Sequence, residues 1–153
     1  MLKNLAPVEA QLFNSLIKNS FRRAGAWCPM AAIPTEQSWL ERNAGLTFEA
    51  LERLQDAGLI TVYEVQRGLL NQTEVLLEGS GYALRFYSEI GPIGVFTLGQ
   101  VTLTVPGSEL AKICEWNIHD TRTEEMVRYI HSGFKVEKIV TDAAGKEHRS
   151  QLR

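Results

Sequence analysis

The segment from Thr47 to Ile60 limits the choice of fold more than any other part of this chain. Its apolar residues recur at every third position, at Phe48, Leu51 and Leu54. That spacing is typical of one face of an α-helix. Thr47 is a favourable N-cap, and Gly58 is a favourable residue just beyond the helix. Because the apolar pair at 59–60 then begins a β-rich run, the pattern predicts a helix that leads directly into a strand.

Further elements are predicted on both sides of this segment. Residues 7–24 carry apolar side chains on one helical face, and residues 35–43 predict a short helix. Residues 59–66 and 73–77 have the composition of two strands joined by a polar loop. Residues 80–87 begin with a serine that is a good N-cap, and they predict another helix.

The pattern changes at Gly91, after which β-rich segments are more frequent. The elements expected in this second part are, in order, a β-hairpin (93–98 and 101–105), two helices (108–117 and 122–132) and a strand (134–141). A polar tail follows and either pairs back or frays. No low-complexity linker divides the chain. The expected organisation is a subdomain at 1–90 with an extension at 91–153 packed on it.

These elements predict one apolar core, because their periodic apolar residues must turn away from water. The expected members are Leu12, Leu16, Phe48, Leu51, Leu54, Leu59, Ile60, Val75 and Leu77. Leu54 lies on the best-defined helix, so it is expected to be a central residue of this core.

The order helix, short helix, helix, Gly-Leu-Ile, strand, turn, strand resembles a winged helix. Residues 103–110, with the sequence Leu-Thr-Val-Pro-Gly-Ser-Glu-Leu, resemble the L-T-x-x-G-x-E-L signature that follows the last strand of a wing. Residues 2 to about 116 also resemble the C-terminal domain of a bacterial family of unknown function akin to the abortive-infection alpha proteins. Positions that match include Leu2, Leu5, Glu9, Ala10, Leu12, Phe13, Gly45, Leu46, Leu51, Leu54, Gly58, Leu59, Ile60, Phe96 and Leu98.

The resemblance implies an α+β fold with a winged-helix-like three-helix core and a β-wing. The β-hairpin, two helices and C-terminal strand of the second part would follow that core. The resemblance also implies a component of phage defence, of which this chain would be the C-terminal part. It brings no known biochemical activity.

Composition and charge indicate no general attraction to nucleic acid or to membranes. The chain has 153 residues, with 16 basic and 18 acidic side chains and a net charge of −2. No window approaches the ~18 consecutive apolar residues of a membrane span, and the first residues lack the apolar region of a signal peptide. Cys28 and Cys114 are far apart and form no C-x-x-C motif. The expectation is a cytoplasmic protein in which both cysteines are small buried hydrophobes.

Binding to DNA is an alternative that the charge distribution disfavours. Residues 36–57, which include the expected recognition helix, carry two basic side chains against five acidic ones. Non-specific affinity for DNA depends on neutralising phosphates, so this helix is poorly suited to the task. The residues that could contact nucleic acid are Lys18, Arg22, Arg23, Arg67, Asn71 and Gln72. Weak binding to duplex DNA is therefore expected.

Motifs for catalysis or for cofactor binding are missing from the sequence. It contains no phosphate-binding glycine loop, no G-x-S-x-G and no H-E-x-x-H. Cys114, His119 and His131 could in principle hold zinc, but Cys114 falls on an apolar helical face. The sequence therefore predicts no enzyme, no catalytic residues, no metal and no cofactor.

The uncharged segment 91–105 is the strongest candidate for a protein interface. Apolar side chains occupy both faces of its expected strands, so both faces must be covered. The interface candidates are Ile93, Val95, Phe96 and Leu98. Either this segment packs inside the chain, or it joins two copies in a homodimer. The sequence thus favours a non-enzymatic winged-helix-like module for protein interaction or self-association; the alternative is a DNA-binding winged-helix transcriptional regulator.

Overall fold

The computed structural model describes residues 5–29, 45–62, 68–69, 73–91, 95–96, 101–116 and 135–152. In these ranges the helices are α1 (Pro7–Lys18), α2 (Phe48–Asp56) and α3 (Val105–Ala111). The strands are β1 (Ser20–Arg23), β2 (Ala26–Pro29), β3 (Ile60–Val62), β4 (Gly68–Leu69), β5 (Glu74–Glu78), β6 (Ala83–Tyr87), β7 (Val95–Phe96), β8 (Val101–Leu103), β9 (Lys135–Thr141) and β10 (Glu147–Gln151). The described part of the chain is thus built mostly from strands.

Six of the strands form one antiparallel sheet in the order β10-β9-β6-β5-β1-β2. Two smaller antiparallel pairs, β3 with β8 and β4 with β7, complete the pairing in the described ranges. Strands β9 and β10 come from the end of the chain, yet β9 pairs with β6. The predicted division at residue 90 stays a prediction, and strands from both sides of it share this sheet.

One face of the large sheet lies against the core. Residues of β5, β6 and β9 on this face are almost fully buried: Val75, Leu77, Leu84, Phe86 and Val136. They belong to the same buried cluster as Phe13, Leu16 and Ile17 of α1. Alternate residues of a strand point to opposite faces. The other face carries mostly polar side chains, as is usual for a half-covered antiparallel sheet, with Leu76 as an exposed apolar residue on it.

The opposite face carries a ladder of alternating charges across four strands. Arg85 Nε donates to Glu74 Oε2 at 2.6 Å, and Arg85 Nη1 lies 3.5 Å from Glu137 Oε2. Arg149 of β10 reaches the same Glu137 carboxylate at 3.3 Å and Glu147 at 2.9 Å. These pairs are partly exposed, so each contributes little to stability, but they satisfy one another and keep this face soluble in water.

The predicted winged helix is wrong. Strand β5 pairs with β1 and β6, whereas β3 pairs with β8, so the two expected wing strands are not partners. Residues 80–87 form a turn and strand β6 instead of a helix. The physical reason lies in Tyr82, Leu84 and Phe86, which are buried at alternate positions and give a period of two.

The predicted hairpin at 93–98 and 101–105 is also wrong. Strand β7 pairs with β4, and β8 pairs with β3, so the two segments contribute to different two-stranded sheets. The following helix begins at Val105, earlier than the expected 108, because Thr104 is its N-cap. The hairpin error comes from assigning strand partners by proximity in sequence, whereas long-range pairing decides a sheet.

Several other elements differ from or agree with expectation. Helix α1 ends at Lys18, and residues 20–23 form β1 instead of continuing the helix. Helix α2 is confirmed: the Thr47 hydroxyl accepts from Ala50 N at 3.2 Å, and Gly58 has the expected positive φ of 74°. The strand predicted at 134–141 is β9, and the tail pairs back as β10. The helices predicted at 35–43 and 122–132 lie outside the described residues.

The core contains most of its predicted members. Leu16, Leu51, Leu54, Leu59, Ile60, Val75 and Leu77 are buried in one cluster, and Leu12 packs against it. Phe48 was predicted wrongly, since 66% of it is exposed. Successive helical residues rotate by about 100°, so Phe48 lies well off the face that Ala50, Leu51 and Leu54 bury.

The tight turn between β1 and β2 supports a stability prediction. Ala24 and Gly25 occupy its two central positions with φ of 48° and 81°, a combination typical of a type I′ hairpin turn. Alanine is strained there, whereas asparagine tolerates the left-handed region. We expect Ala24→Asn to raise the free energy of unfolding by about 0.5–1 kcal/mol in chemical denaturation. Ala144→Asn, at a turn residue whose φ is not positive, is the matched control and should change little. An unchanged or reduced stability for Ala24→Asn would contradict the assigned turn.

Candidate binding site

A cleft of about 510 Å³ lies beside β2, β8 and α3. Two tryptophans, two cations and two hydroxyl groups are prominent on its walls: Trp27, Trp116, Arg22, Lys112, Thr102 and Ser108. The volume falls in the range of about 300–1,000 Å³ that specific ligand pockets usually have. This combination of aromatic, cationic and hydroxyl groups makes the cleft the best candidate site in the described part of the chain.

Arg22 and the two tryptophans form one cluster in which each group is close to the other two. In the sheet register it is opposite Trp27, so the two side chains share one face. The guanidinium carbon of Arg22 is 5.3 Å from the Trp27 ring centroid and 5.7 Å from that of Trp116. The two indoles contact edge to face, with centroids 5.3 Å apart and an interplanar angle of 79°. Both rings are therefore close enough to attract the cation through their π-faces.

The corner between α1 and β1 positions Trp116. Its Nε1 donates to the carbonyl of Ser20 at 2.9 Å. The Ser20 hydroxyl in turn donates to the carbonyl of Leu16 at 2.6 Å, inside the buried corner. Next to Trp116, Glu115 pairs with Lys18 at 3.0 Å. The indole of Trp116 is thus attached to the start of the strand that carries Arg22.

Helix α3 forms another wall and is attached to the turn after α2. Thr104 Oγ1 accepts from Gly107 N at 3.1 Å and donates to the carbonyl of Gly58 at 2.6 Å, while Thr104 N donates to the carbonyl of Leu59 at 3.0 Å. Gly107 approaches the Leu59 backbone so closely that a Cβ there would overlap the Leu59 oxygen. The two motifs noted in the sequence, 103–110 and 58–60, therefore contact each other and fix the position of Ser108 at the cleft.

Many cations in the described ranges have a carboxylate partner. The pairs are Lys18 with Glu115, Arg85 with Glu74 and Glu137, Lys112 with Glu109, Lys135 with Glu89, and Arg149 with Glu137 and Glu147. Hydrogen bonding to Glu89 raises the pKa of Lys135, and hydrogen bonding to Glu147 raises the pKa of Arg149. Such partners leave those cations with less capacity for an outside ligand.

Arg22 differs from those cations. Its Nη2 donates to the carbonyl of Gly25 at 3.3 Å, and its Nε is buried without a hydrogen-bond partner in the described ranges. Glu78 of β5 is opposite Arg22 in the register, yet the two form no ion pair there. The lining of the cleft includes no carboxylate among the described residues. The Nη groups of the guanidinium therefore have donors left for an anion from outside, whereas the buried Nε is out of its reach.

A thiol also lies at the cleft. Cys114 is half-buried, its thiol donates to the carbonyl of Leu110 at 3.5 Å, and burial raises its pKa. Burial likewise raises the pKa of Cys28, more than the nearby charge of Arg23 lowers it. Both cysteines are free and half-buried, which is less buried than the sequence suggested. A raised pKa keeps each thiol protonated at neutral pH and lowers its reactivity.

Of the residues singled out for nucleic-acid contact, the structure places only Arg22 at the cleft. Lys18 is paired with Glu115, and Arg23 alternates with Arg22 along β1 and so falls on the other face. Arg67, Asn71 and Gln72 lie outside the described residues. The structure therefore does not assemble this set into one described surface, and its role in binding stays a prediction.

The residues singled out for a protein interface lie at the limit of the described ranges. Val95 and Phe96 form β7, which pairs with Gly68 and Leu69, while Ile93 and Leu98 lie outside the described residues.

Where the structure describes the chain, no three His, Cys, Asp or Glu residues come together in a metal-binding arrangement. His119 and His131, which were considered as ligands beside Cys114, fall outside those ranges.

The two tryptophans of the cleft were missed in the sequence. Trp27 and Trp116 follow no helical or strand period that marks them as partners, and their contact depends on the register of β1 with β2. An uncharged stretch that contains a tryptophan close to two arginines was the only available signal.

No helix in the described ranges is long and apolar enough to cross a membrane.

Comparison with known proteins identified no relative of this chain. No protein-family model matches the sequence, and no curated protein or solved structure is significantly similar to it.

Proposed function

We propose that this chain is a non-enzymatic binding module and that its cleft receives a short segment of a partner protein. The observation that carries the proposal is Arg22, whose guanidinium lies close to the rings of both Trp27 and Trp116 and forms no ion pair with a carboxylate in the described ranges. Half-buried aromatic rings offer apolar area, and the guanidinium offers directed donors. Together they can bind a segment that has both apolar and acidic side chains.

The residue types at the cleft favour a protein partner. Tryptophan and arginine are among the residues that contribute most binding energy at protein interfaces, especially where they cluster in a pocket. Both rings are already positioned, Trp116 by its hydrogen bond to Ser20 and Trp27 by strand pairing. A site that is ordered before binding loses less side-chain entropy when the partner arrives.

Duplex DNA is less well supported as the partner. A second cavity of about 550 Å³, beside α1 and α2, is lined by Glu49, Glu52 and Asp56 with Arg53 as its cation. The face of α2 that was expected to meet DNA is thus acidic, and the winged-helix framework for that role is wrong. We expect titrations with labelled duplex DNA to give only non-specific affinity, with Kd of about 10⁻⁴–10⁻⁶ M.

The cellular setting follows from less specific observations. We propose a cytoplasmic location, which the two free thiols support because disulfides are rare in that compartment. A role in phage defence rests on the family resemblance alone and stays a prediction. Self-association through residues 93–98 also stays a prediction, and light scattering on Val95→Lys tests it.

Selection of displayed peptides tests the proposal. Random peptides displayed on phage are selected on the whole chain, and the enriched sequences are synthesised and titrated by fluorescence anisotropy. We expect Trp27→Ala to weaken their binding about tenfold or more, because it removes one aromatic wall. Phe48→Ala, which truncates an exposed aromatic residue away from the cleft, should leave the affinity unchanged.

The result would contradict the proposal if no peptide is enriched, or if the enriched peptides bind Trp27→Ala as tightly as the parent. Circular dichroism establishes that each variant is folded. If Trp27→Ala does not fold, Ser108→Trp replaces it, since a large side chain on α3 should fill the cleft and block the peptide. A single-stranded or duplex oligonucleotide that binds with nanomolar affinity through Trp27 would also overturn the proposal, in favour of nucleic acid.

A further inference from the structure

We infer that the cleft selects its partner by a single side-chain carboxylate, an Asp or Glu next to an apolar residue, which Arg22 binds. This inference rests on the proposed function and specifies the chemistry of the bound segment. The carboxylate would pair with the guanidinium, and the adjacent apolar side chain would contact the indoles of Trp27 and Trp116.

The hydrogen bonds that Arg22 already makes leave it able to bind a carboxylate. A guanidinium has five N–H donors, and arginine cannot lose its charge in a protein. In the described ranges Arg22 donates one hydrogen bond, a long one of 3.3 Å to Gly25, and its Nε is buried without a partner. A ligand in the cleft would not reach the buried Nε, but the Nη1 and Nη2 groups keep N–H donors for an acceptor, and a carboxylate matches the planar geometry of the group.

The two indoles next to Arg22 favour a strong ion pair with a carboxylate. Centroid distances of 5.3 Å and 5.7 Å place both indoles against the guanidinium, which orders the side chain and excludes some water from it. Removing water lowers the local dielectric constant and strengthens an ion pair that forms there. The cleft would thus bind a carboxylate more tightly than an exposed arginine does.

The number of available cations favours a carboxylate ligand over a phosphate ligand. Lys112 is the other cation on the wall, and its Nζ is bonded to both oxygens of Glu109, at 2.7 Å and 2.8 Å. Phosphorylated segments are usually bound by clusters of arginines, and single-stranded nucleic acid by a groove of several cations. One available guanidinium matches one negative charge, so the geometry favours an unmodified acidic peptide.

The test uses a double-mutant cycle on the whole chain. The probes are the synthetic peptides from the display selection, with blocked termini, in which each Asp or Glu is changed singly to Asn or Gln. We expect one such change to weaken binding to the parent about tenfold or more. The same change should have less than about a twofold effect on Arg22→Gln, because the partner of that carboxylate is already missing.

Matched variants keep the outcome specific. Arg53→Gln makes the same change of charge on α2, away from the cleft, and should bind every peptide as the parent does. Arg22→Lys keeps the charge but loses the planar fork, so it should recover only part of the affinity. If Arg22→Gln does not fold, Arg22→Lys and the peptide substitutions in the parent provide the comparison.

Several results would overturn the inference while leaving the proposed function in place. These are selected peptides without Asp or Glu, amide substitutions without effect, and equal losses in the parent and in Arg22→Gln. A phosphoserine peptide that binds more than about tenfold tighter than its glutamate counterpart would also overturn it, in favour of phosphate. Failure to select any peptide that depends on Trp27 would instead remove the proposed function, and this inference with it.

Discussion

Gly107→Ala is expected to lower the free energy of unfolding by at least about 2 kcal/mol. In an ordinary helix interior the same change stabilises by about 0.5–1 kcal/mol, because alanine is the better helix former. Here the sign reverses, since the added Cβ would overlap the carbonyl oxygen of Leu59. That oxygen also accepts the hydrogen bond from Thr104 N, so the backbone cannot move away without losing it.

Chemical denaturation of the parent and the variant provides the measurement. Glu109→Ala is the control on the same helix, because it removes only an exposed ion pair with Lys112 and should cost about 0.5 kcal/mol or less. Shortening the Leu59 side chain should not relieve the defect of Gly107→Ala, since the overlap is with backbone. A Gly107→Ala protein as stable as the parent would show that α3 does not contact the turn after α2 in this way.

Leu54→Ala is expected to lower the free energy of unfolding by about 2–5 kcal/mol. Leu54 is fully buried and belongs to the cluster in which α1 and α2 contribute to the core with strands β3 and β5. Truncation removes the transfer free energy of the lost methyl groups and leaves a cavity that the neighbours only partly fill. Urea titration of the folded protein, with the midpoint and slope compared, measures the effect.

The matched control lies on the same helix. Phe48→Ala removes a larger apolar side chain, but one that is 66% exposed, so we expect its effect to stay within about 0.5–1 kcal/mol. The contrast tests which face of α2 is buried. A loss below roughly 0.5 kcal/mol for Leu54→Ala, or a larger loss for Phe48→Ala, would mean that α2 is rotated relative to this structure.

Helix α2 and its ends could be predicted from the sequence because the determinants are local. The Thr47 hydroxyl accepts from a backbone amide three residues on, and Gly58 adopts the positive φ that glycine permits just beyond a helix. The strand at β9 was likewise predicted from a continuous β-rich run. Most of the predicted core followed from the same short-range periodicity, and Phe48 failed because three apolar residues do not define a helical face accurately.

Only the tertiary structure decided which strands pair. A strand of three to five residues has unsatisfied donors and acceptors on both sides, and its own sequence does not identify its neighbour. Thus β3 pairs with the distant β8, and β5 pairs with β1 and β6, whereas the winged-helix arrangement required β3 beside β5. The helix expected at 80–87 failed for a related reason, because a short apolar run fits either period until packing selects one.

In the candidate site, too, the residue types could be read from the sequence, whereas their contacts were decided by the tertiary structure. Arg22 was visible in the sequence as a candidate contact, but the helix predicted over 7–24 did not foresee the strand that carries it or the turn at Gly25. The contact of Arg22 with Trp27 and Trp116 could not be predicted from the sequence. It depends on the register of β1 with β2 and on the hydrogen bond from Trp116 to Ser20, two residues 96 positions apart. Contacts of that kind are formed only when the sheet is assembled, since burial and hydrogen bonding of the whole chain determine which distant side chains become neighbours.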